Sequence, residues 1–192
     1  MTEEKISRPG GRSARVQQAV HRAVREIQDE SGRDGLTIVA IAARAGVTPS
    51  TIYRRWGELP QLLSDVAIEN LRPELLPSDT GSFYGDMETW LEQYLEEISS
   101  PFGRSMLCDV LSSSEPVNAG RCTRYLIEQF EIMRLRAKNR GESPPTSEII
   151  LDCIIAPLVF RILFAAEVPE LSYTRQLIAQ TLLWPGNTTV SV

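Results

Sequence analysis

The residues best suited to chemistry in this sequence form a short run after Gly46, and the chemistry they offer is recognition rather than catalysis. Short hydroxyl side chains can contact base edges in the major groove of DNA, and a small apolar proline suits the thymine methyl group. A tyrosine and two arginines suit phosphate oxygens, which fix the register of a protein on a duplex. The run consists of Thr48, Pro49, Ser50, Thr51, Tyr53, Arg54 and Arg55.

Residues that would support catalysis or metal binding are sparse. His21 is the single histidine, and the three cysteines are widely spaced, so neither CxxC nor HExxH is present. No GxSxG, Walker A or GxGxxG motif occurs either. We therefore predict no catalytic site, no metal and no cofactor. Cys108, Cys122 and Cys153 are expected to be buried thiols in a reducing compartment.

The composition is that of an ordinary folded protein, with 42% hydrophobic and 23% charged residues. Residues 1–60 hold ten Lys/Arg against seven acidic residues, whereas residues 61–192 hold ten against eighteen. A basic head on an acidic chain indicates an anionic partner at one end. The apolar stretch 149–166 is interrupted by two charged residues and a proline, and the polar start leads into no apolar segment. We therefore expect neither a membrane span nor a secretory signal.

Apolar residues recur with helical spacing along the whole chain, and runs of alternating β-branched residues are missing. A stripe from Val16 to Ile27 predicts a first amphipathic helix that ends near Gly32. Eight further helices are predicted at residues 37–44, 48–55, 60–71, 82–99, 101–113, 117–139, 146–167 and 171–183. About nine helices without strands predict an all-α fold.

The second and third predicted helices carry the capping and turn signals of a helix-turn-helix. Thr37 is suited to cap the first of the pair, and Gly46 stands where that helix must end in a left-handed conformation. Thr48 is expected to cap the next helix, with Pro49 at its first position. The hydroxyl and arginine side chains then face outward, as on a recognition helix in a major groove.

Three short motifs lie at fixed spacing in this region: Gly35-Leu-Thr37, Ile41-Ala-x-x-Ala45-Gly-Val47 and Thr51-Ile-Tyr53-x-x-Trp56. Together they resemble the N-terminal domain of TetR-family transcriptional regulators over roughly residues 12–63. The resemblance implies a three-helix DNA-binding head with a helix-turn-helix on a larger helical body for ligand binding and dimerisation. The implied boundaries are a flexible basic arm at 1–11, the head at 12–59 and the body at 60–192. It also implies a cytoplasmic bacterial protein, associated with the nucleoid through DNA.

The resemblance further assigns DNA contacts to the run after Gly46 and a phosphate contact to Thr37. The family often has a phosphate-binding lysine at the position of Leu59, a contact that is absent here or supplied by Arg54 and Arg55. Val39 likewise offers no polar side chain at a position that sometimes reaches DNA.

A basic tip precedes the first helix. Arg8 and Arg12 flank a proline and two glycines, and such an arm can place arginine in a minor groove. The alternative is an unstructured terminus without a role in binding.

The predicted helix at 146–167 is apolar on every side, which requires burial on every side, in part against a second copy of the chain. Pro157 is expected to kink it. The alternative is the central helix of a monomeric bundle. The expected dimer residues are Ile150, Ile154, Pro157, Leu158, Arg161, Ile162, Leu177 and Leu182.

Aromatic and methionine residues at helical spacing in the middle helices are typical of an apolar ligand pocket, although a plain core has the same pattern. The expected pocket residues are Phe83, Met87, Trp90, Tyr94, Phe102 and Met106, with Trp90 and Tyr94 as the best wall. The family implies an unidentified small-molecule effector.

The sequence thus predicts a transcriptional regulator that binds a palindromic operator in double-stranded DNA as a homodimer and is released by its effector. The alternative is an all-α ligand-binding or interaction module with weakened DNA binding. This alternative stays open because Leu59 stands where the family often has a phosphate-binding lysine.

Overall fold

The computed structural model describes residues 11–73, 75–112, 117–165 and 168–183, apart from the side chain of Arg12. Over those ranges the chain is helical and has no strand, so the all-α prediction is confirmed. The helices are α1 (Gly11–Ser31), α2 (Ile38–Ala45), α3 (Pro49–Trp56), α4 (Leu59–Asn70), α5 (Phe83–Ser99), α6 (Pro101–Ser112), α7 (Val117–Asn139), α8 (147–164) and α9 (Leu171–Leu182).

The head consists of α1, α2 and α3, which pack around one hydrophobic core together with the first half of α4. The apolar stripe of α1 faces this core, as its period predicts. The core residues are Val20, Ala23, Val24, Ile27, Leu36, Ile38, Ile41, Ala42, Ile52, Trp56, Leu62, Leu63 and Val66. Helix α4 is therefore held to the head along its N-terminal half.

A second and larger core fills the body between α5, α7, α8 and α9. Its fully buried members include Met87, Leu91, Phe130 and Met133. Close packing of such side chains gives the body a well-defined shape around any cavity it contains.

The second half of α4 packs along α6. Ala67 and Ile68 of α4 meet Met106 and Val110 of α6 in a third, smaller cluster, which we call the junction cluster. Because α4 contributes to the head core and to the junction cluster, it packs against both the head and the body. The division between residues 59 and 60 stays a prediction.

A polar contact joins head and body at a second place. Arg33, in the short 3-10 turn after α1, forms a salt bridge with Asp109 of α6 and donates to Ser105 Oγ at 2.9 Å. Hydrogen bonding to Asp109 raises the pKa of Arg33. The head is thus tied to α6 by charge as well as to α4 by apolar packing.

Helix α8 is where the sequence prediction departs most from the structure. The α-helix Ser147–Ile150 continues as a π-helical turn, Leu151–Ile155, and then as the α-helix Ala156–Phe164. The amide of Ala156 donates to the carbonyl of Leu151, five residues back. The irregularity expected as a kink at Pro157 is therefore a wider turn just before it.

The prediction of buried cysteines was wrong. Cys108 is exposed, and Cys122 and Cys153 are half-buried. Each lies in a helix beside apolar neighbours, but Cys108 faces solvent on α6, whereas its neighbour Leu107 is buried in the body core.

Candidate nucleic-acid interface

Helix α3 is oriented by two residues one turn apart. Ile52 and Trp56 are buried in the head core, so the opposite side of this eight-residue helix faces outward. Pro49 and Ser50 are exposed at its start, and Tyr53 and Arg54 are exposed further along it. The arrangement expected of a recognition helix is therefore present.

The turn before α3 has the predicted geometry. Gly46 adopts a left-handed conformation with φ 67° and ψ 33°, which glycine enters without steric cost. The amide of Val47 then donates to the carbonyl of Ala42 at 3.0 Å, closing the end of α2. At the other end of α2, Thr37 Oγ1 accepts a hydrogen bond from the amide of Ala40 at 3.1 Å, so its predicted capping role is confirmed.

Thr48 occupies the cap position of α3, but its side chain does not cap the helix, contrary to prediction. Its hydroxyl lies 2.9 Å from Ser50 Oγ and 3.0 Å from Thr51 Oγ1 instead. The three hydroxyls form a connected polar tip at the start of α3. The first turn of a helix has backbone N–H groups without intrahelical acceptors, so the positive end of the helix dipole also lies here.

Tyr53 and Arg54 are available for a ligand. The Tyr53 side chain is 54% exposed. Within the described part of the chain, neither side chain has a hydrogen-bond or ion-pair partner. A phenol and a guanidinium that point into solvent from the same helix can both bind phosphate oxygens.

Arg55 is held differently from Arg54. Its guanidinium donates to the carbonyl of Ser13 at 3.0 Å, to Ser13 Oγ at 2.7 Å and to Gln17 Oε1 at 2.7 Å. It also lies 5.2 Å from the ring centroid of Trp56. Arg55 therefore braces α3 against the start of α1, and using it on DNA would require breaking these bonds.

Two positions near the interface are apolar. Val39 is exposed, and Leu59, where the family often has a lysine, packs against the head core. Neither side chain can bind a phosphate. Of the predicted arm residues, Arg8 lies outside the described residues, as does the side chain of Arg12.

An acidic residue behind the interface was missed by sequence reasoning. Asp65 of α4 is only 15% exposed. Its Oδ2 accepts hydrogen bonds from Trp56 Nε1 at 3.0 Å and Gln17 Nε2 at 3.3 Å, and lies 3.0 Å from His21 Nε2. Its Oδ1 accepts from Arg121 Nη1 of α7 at 2.8 Å. One carboxylate thus connects α1, α3, α4 and α7.

The electrostatics of Asp65 follow from these partners. Burial by itself raises the pKa of a carboxylate, but hydrogen bonds from His21, Trp56 and Arg121 outweigh burial and hold the pKa of Asp65 well below its ordinary value. The sequence did contain a signal. Asp65 interrupts the apolar run from Leu62 to Ile68, and His21 interrupts the buried face of α1.

The body contains a cavity of about 390 Å³ beside the C-terminal end of α4. Trp90 and Tyr94 line it as predicted from their spacing, and their rings stack with centroids 4.8 Å apart. Burial raises the pKa of Tyr94 and of Cys122, and partial burial raises that of Glu97. The lining residues are Asn70, Leu71, Arg72, Pro73, Leu75, Leu76, Pro77, Trp90, Gln93, Tyr94, Glu97, Leu107, Cys122, Tyr125, Leu126 and Gln129.

The other four predicted pocket residues do not line this cavity. Phe83 and Met87 are buried in the body core, and Met106 belongs to the junction cluster. Phe102 is exposed on α6. The sequence pattern cannot separate these cases, because core and cavity walls use the same side chains.

The predicted dimer residues fall into two groups. Ile150, Ile154, Leu158, Ile162 and Leu177 are buried in the chain's own core, so their side chains are not available to a second copy. Pro157 and Leu182 are half-buried, and Arg161 is exposed with its guanidinium 4.2 Å from the ring of Tyr173. The large apolar residues exposed on α8 are Phe160 and Phe164, at 62% and 72%, with ring centroids 5.2 Å apart.

Neither a metal centre nor a membrane helix emerges from the described ranges. No group of three or more His, Cys, Asp or Glu side chains there could hold a metal ion. No helix of that part combines the length and the apolar character that crossing a membrane requires.

A helix-turn-helix head joined through α4 to an all-α body with a cavity defines a class of helical regulators. Residues 21–65 match the model of bacterial regulatory proteins of the tetR family, and residues 77–181 match the model of the tetracycline repressor-like C-terminal domain. The chain belongs to the TetR family of transcriptional regulators, a family of regulators and not of enzymes.

Individual relatives agree with this assignment. The chain is 30% identical over 135 residues to the HTH-type transcriptional regulator AqdR of Rhodococcus erythropolis, covering 68% of this chain and 65% of AqdR. It is 27% identical to YdeS of Bacillus subtilis, an uncharacterized HTH-type regulator, covering 92% of this chain and 91% of YdeS. A TetR-family structure from Mesorhizobium loti has the same fold, with a TM-score of 0.53, 13% identity and 90% of this chain and 96% of that chain covered.

Proposed function

We propose that two copies of this chain bind a palindromic operator through α3 and release it when a small molecule occupies the body cavity. The observation that carries the proposal is the outward face of α3. Ile52 and Trp56 fix the helix from behind, while Tyr53 and Arg54 stand free on its exposed side. A helix that is already packed against the core favours binding because little backbone order remains to be imposed.

Different residues of α3 are assigned different tasks. The hydroxyls of Thr48, Ser50 and Thr51 lie together at the helix start, where the N-terminal residues of a recognition helix meet base edges. Pro49 offers an apolar surface to a thymine methyl group. Tyr53 and Arg54 bind phosphates, as Thr37 does at the start of α2. Arg55 serves mainly as the brace that keeps α3 in register with α1.

The dimer is proposed to form through the outer face of α8 and the neighbouring α9. Phe160 and Phe164 are a pair of neighbouring aromatic rings exposed to solvent, an arrangement that a second copy would cover. Two heads on one side of the dimer would then meet two half-sites about one turn of DNA apart. Among the residues predicted for this role, Pro157, Arg161 and Leu182 remain candidates for contact with the partner.

The effector is proposed to bind in the cavity beside Trp90 and Tyr94. Asn70 and Leu71 at the end of α4 form part of its wall, so an occupant acts directly on the helix that carries the head. Most of the wall is apolar, and its two charged residues, Arg72 and Glu97, have opposite signs, which suits a largely apolar ligand without a strong net charge. A difference of about 1–3 kcal/mol between the two states would suffice for regulation.

The decisive experiment is binding to the DNA fragment upstream of the protein's own coding sequence, measured by fluorescence anisotropy across a range of salt concentrations. A steep salt dependence together with preference for one palindrome supports the proposal. Arg54→Ala is expected to reduce the salt slope by about one phosphate contact, and Arg55→Ala by clearly less. Weak binding of equal strength to any DNA would contradict the proposal.

Base contacts and phosphate contacts can be separated with two further variants. Tyr53→Ala is expected to weaken binding to all sequences alike, whereas Ser50→Ala is expected to change which sequence is preferred. If Tyr53→Ala bound the fragment as the parent does, the assigned position of the recognition helix would be incorrect. The effector claim fails if candidate ligands that enter the cavity leave operator affinity unchanged.

A further inference from the structure

The two oxygens of Asp65 face different parts of the molecule. Oδ2 receives Trp56 and His21 of the head, and Oδ1 receives Arg121 of the body. A carboxylate is planar, so the position of one oxygen fixes the direction of the other. A change of partner at Oδ1 therefore also shifts Oδ2, to which the Trp56 indole at the last residue of α3 donates.

Arg121 is itself connected to the cavity. Its Nη2 lies 3.5 Å from the hydroxyl of Tyr125, and the Tyr125 side chain forms part of the cavity wall. Cys122, next to Arg121 in α7, lines the same cavity. Nη2 also donates to Glu69 of α4, and Nη1 also donates to Asn118 Oδ1 within α7. Arg121 thus has cavity wall on one side and α4 on the other.

We propose that Arg121 is the positioning residue that couples the body cavity to the recognition helix, through Tyr125 on one side and Asp65 and Trp56 on the other. The inference rests on the proposed function and names the contact through which that regulation passes. When an occupant moves Tyr125, Arg121 keeps Glu69 as a partner and leaves Oδ1, so the Asp65 carboxylate turns and the end of α3 loosens. The path from cavity wall to α3 consists of three consecutive hydrogen bonds.

The molecule contains an internal control for this path. Arg33 also joins head to body through a charge pair, with Asp109, but neither residue lines the cavity. Loss of the Arg33 contact should therefore weaken the connection between the two parts without affecting the response to an occupant. This separates a coupling residue from one that merely holds the molecule together.

The test uses Cys122 as an attachment point for an artificial occupant. The sequence has three cysteines, so Cys108→Ser with Cys153→Ser leaves Cys122 as its one thiol. Because burial raises the pKa of Cys122, labelling with monobromobimane is done at mildly alkaline pH and verified by mass spectrometry. Labelled and unlabelled protein are then compared for affinity to the upstream DNA fragment and for the NMR signal of the Trp56 indole N–H, assigned with Trp56→Phe.

In the two-serine parent, the label is expected to change the dissociation constant for DNA by about fivefold or more and to shift the Trp56 indole signal. In Tyr125→Phe and in Arg121→Gln, labelled and unlabelled protein should agree within about twofold and the indole signal should stay in place. Arg33→Gln should retain the parent's response. Tyr125→Phe removes one hydroxyl and serves as the milder variant if Arg121→Gln binds DNA too weakly to be compared.

Two results would overturn the inference, and they are distinguishable. A response to the label that is as large in Arg121→Gln and Tyr125→Phe as in the parent removes Arg121 from the path, while the proposed regulation through the cavity stands. No response in the parent itself removes both the path and the proposed sensing function. DNA binding by the unlabelled parent is judged separately from either result.

Discussion

Replacing Asp65 with asparagine keeps the size of the side chain and removes its charge. The amide oxygen of the introduced side chain could still accept one hydrogen bond, but its nitrogen would face a donor. A hydrogen bond to a charged group contributes about 1.5–3 kcal/mol, and Asp65 accepts such bonds from Trp56, His21 and Arg121 at 2.8–3.0 Å. Since Arg121 retains Glu69, we expect Asp65→Asn to lower the free energy of unfolding at neutral pH by about 2–4 kcal/mol.

The same substitution should change how stability depends on pH. The folded-state pKa of Asp65 lies below its ordinary value of 3.8. The ionised carboxylate therefore makes its full contribution to the free energy of unfolding at neutral pH. That contribution is lost as the pH falls below about 4 toward the folded-state pKa. The difference in unfolding free energy between parent and Asp65→Asn should therefore be largest at neutral pH and shrink in acid. Carboxylates that share no partner with Asp65 affect both proteins equally and cancel in this difference.

Urea unfolding followed by circular dichroism measures both quantities, with protein concentration held constant because a dimer's stability depends on it. Glu69→Gln is the matched control. It removes a carboxylate one helical turn away that also binds Arg121 but is 32% exposed, so its cost should stay below about 1 kcal/mol. If Asp65→Asn were as stable as Glu69→Gln, or if its difference from the parent did not vary with pH, the role assigned to Asp65 would be incorrect.

Three other sets of substitutions test separate parts of the structure. Thr37→Ala should lower the free energy of unfolding by about 1 kcal/mol, and Thr48→Ala by clearly less, because only Thr37 caps its helix; equal costs in urea unfolding would contradict the assigned caps. Gly120→Ala should raise the free energy of unfolding by about 1 kcal/mol, because alanine favours the helix α7 and its Cβ would meet open space. Gly103→Ala should lower the free energy of unfolding by about 1–3 kcal/mol, because the added Cβ would overlap the carbonyl oxygen of Glu97. Both glycine variants are measured by the same urea unfolding, and equal effects would contradict the packing of α6 on α5. Phe160→Glu should produce monomers in sedimentation equilibrium, whereas Leu111→Glu, equally exposed on α6, should not; dimers in both would refute the proposed interface.

The local features of the head could be predicted from the sequence because they depend on neighbouring residues. The left-handed Gly46, the Thr37 cap and the buried pair Ile52 and Trp56 all follow from residue type and helical period. Thr48 has the same sequence signal as Thr37, yet its hydroxyl bonds to Ser50 and Thr51 instead. Hydroxyl groups within one turn compete with the backbone amide for the Thr48 side chain. A residue's general preference for the cap position does not predict that competition.

Features that depend on distant parts of the chain could not be predicted in the same way. Asp65 and Arg121 are 56 residues apart, and the sequence of neither helix indicates that the two side chains meet. Arg54 and Arg55 are equivalent in sequence, but one is free and the other is bound to α1 because the helices cross where they do. For the pocket, only Trp90 and Tyr94 among six expected residues line the cavity, since burial depends on how α5, α6 and α7 are arranged.

The π-helical turn of α8 explains how this helix keeps one side in the body core. Its core residues Ile150, Ile154, Leu158 and Ile162 repeat every four positions, whereas a regular α-helix repeats every 3.6 and would let such a row drift around its axis. One locally wider turn at Leu151–Ile155 takes up part of that drift. The turn acts as a phase adjustment between the two ends of the helix. If every residue were kept and this segment were wound as a regular α-helix, Phe160 and Phe164 would swing by roughly a quarter of a revolution toward a different neighbour.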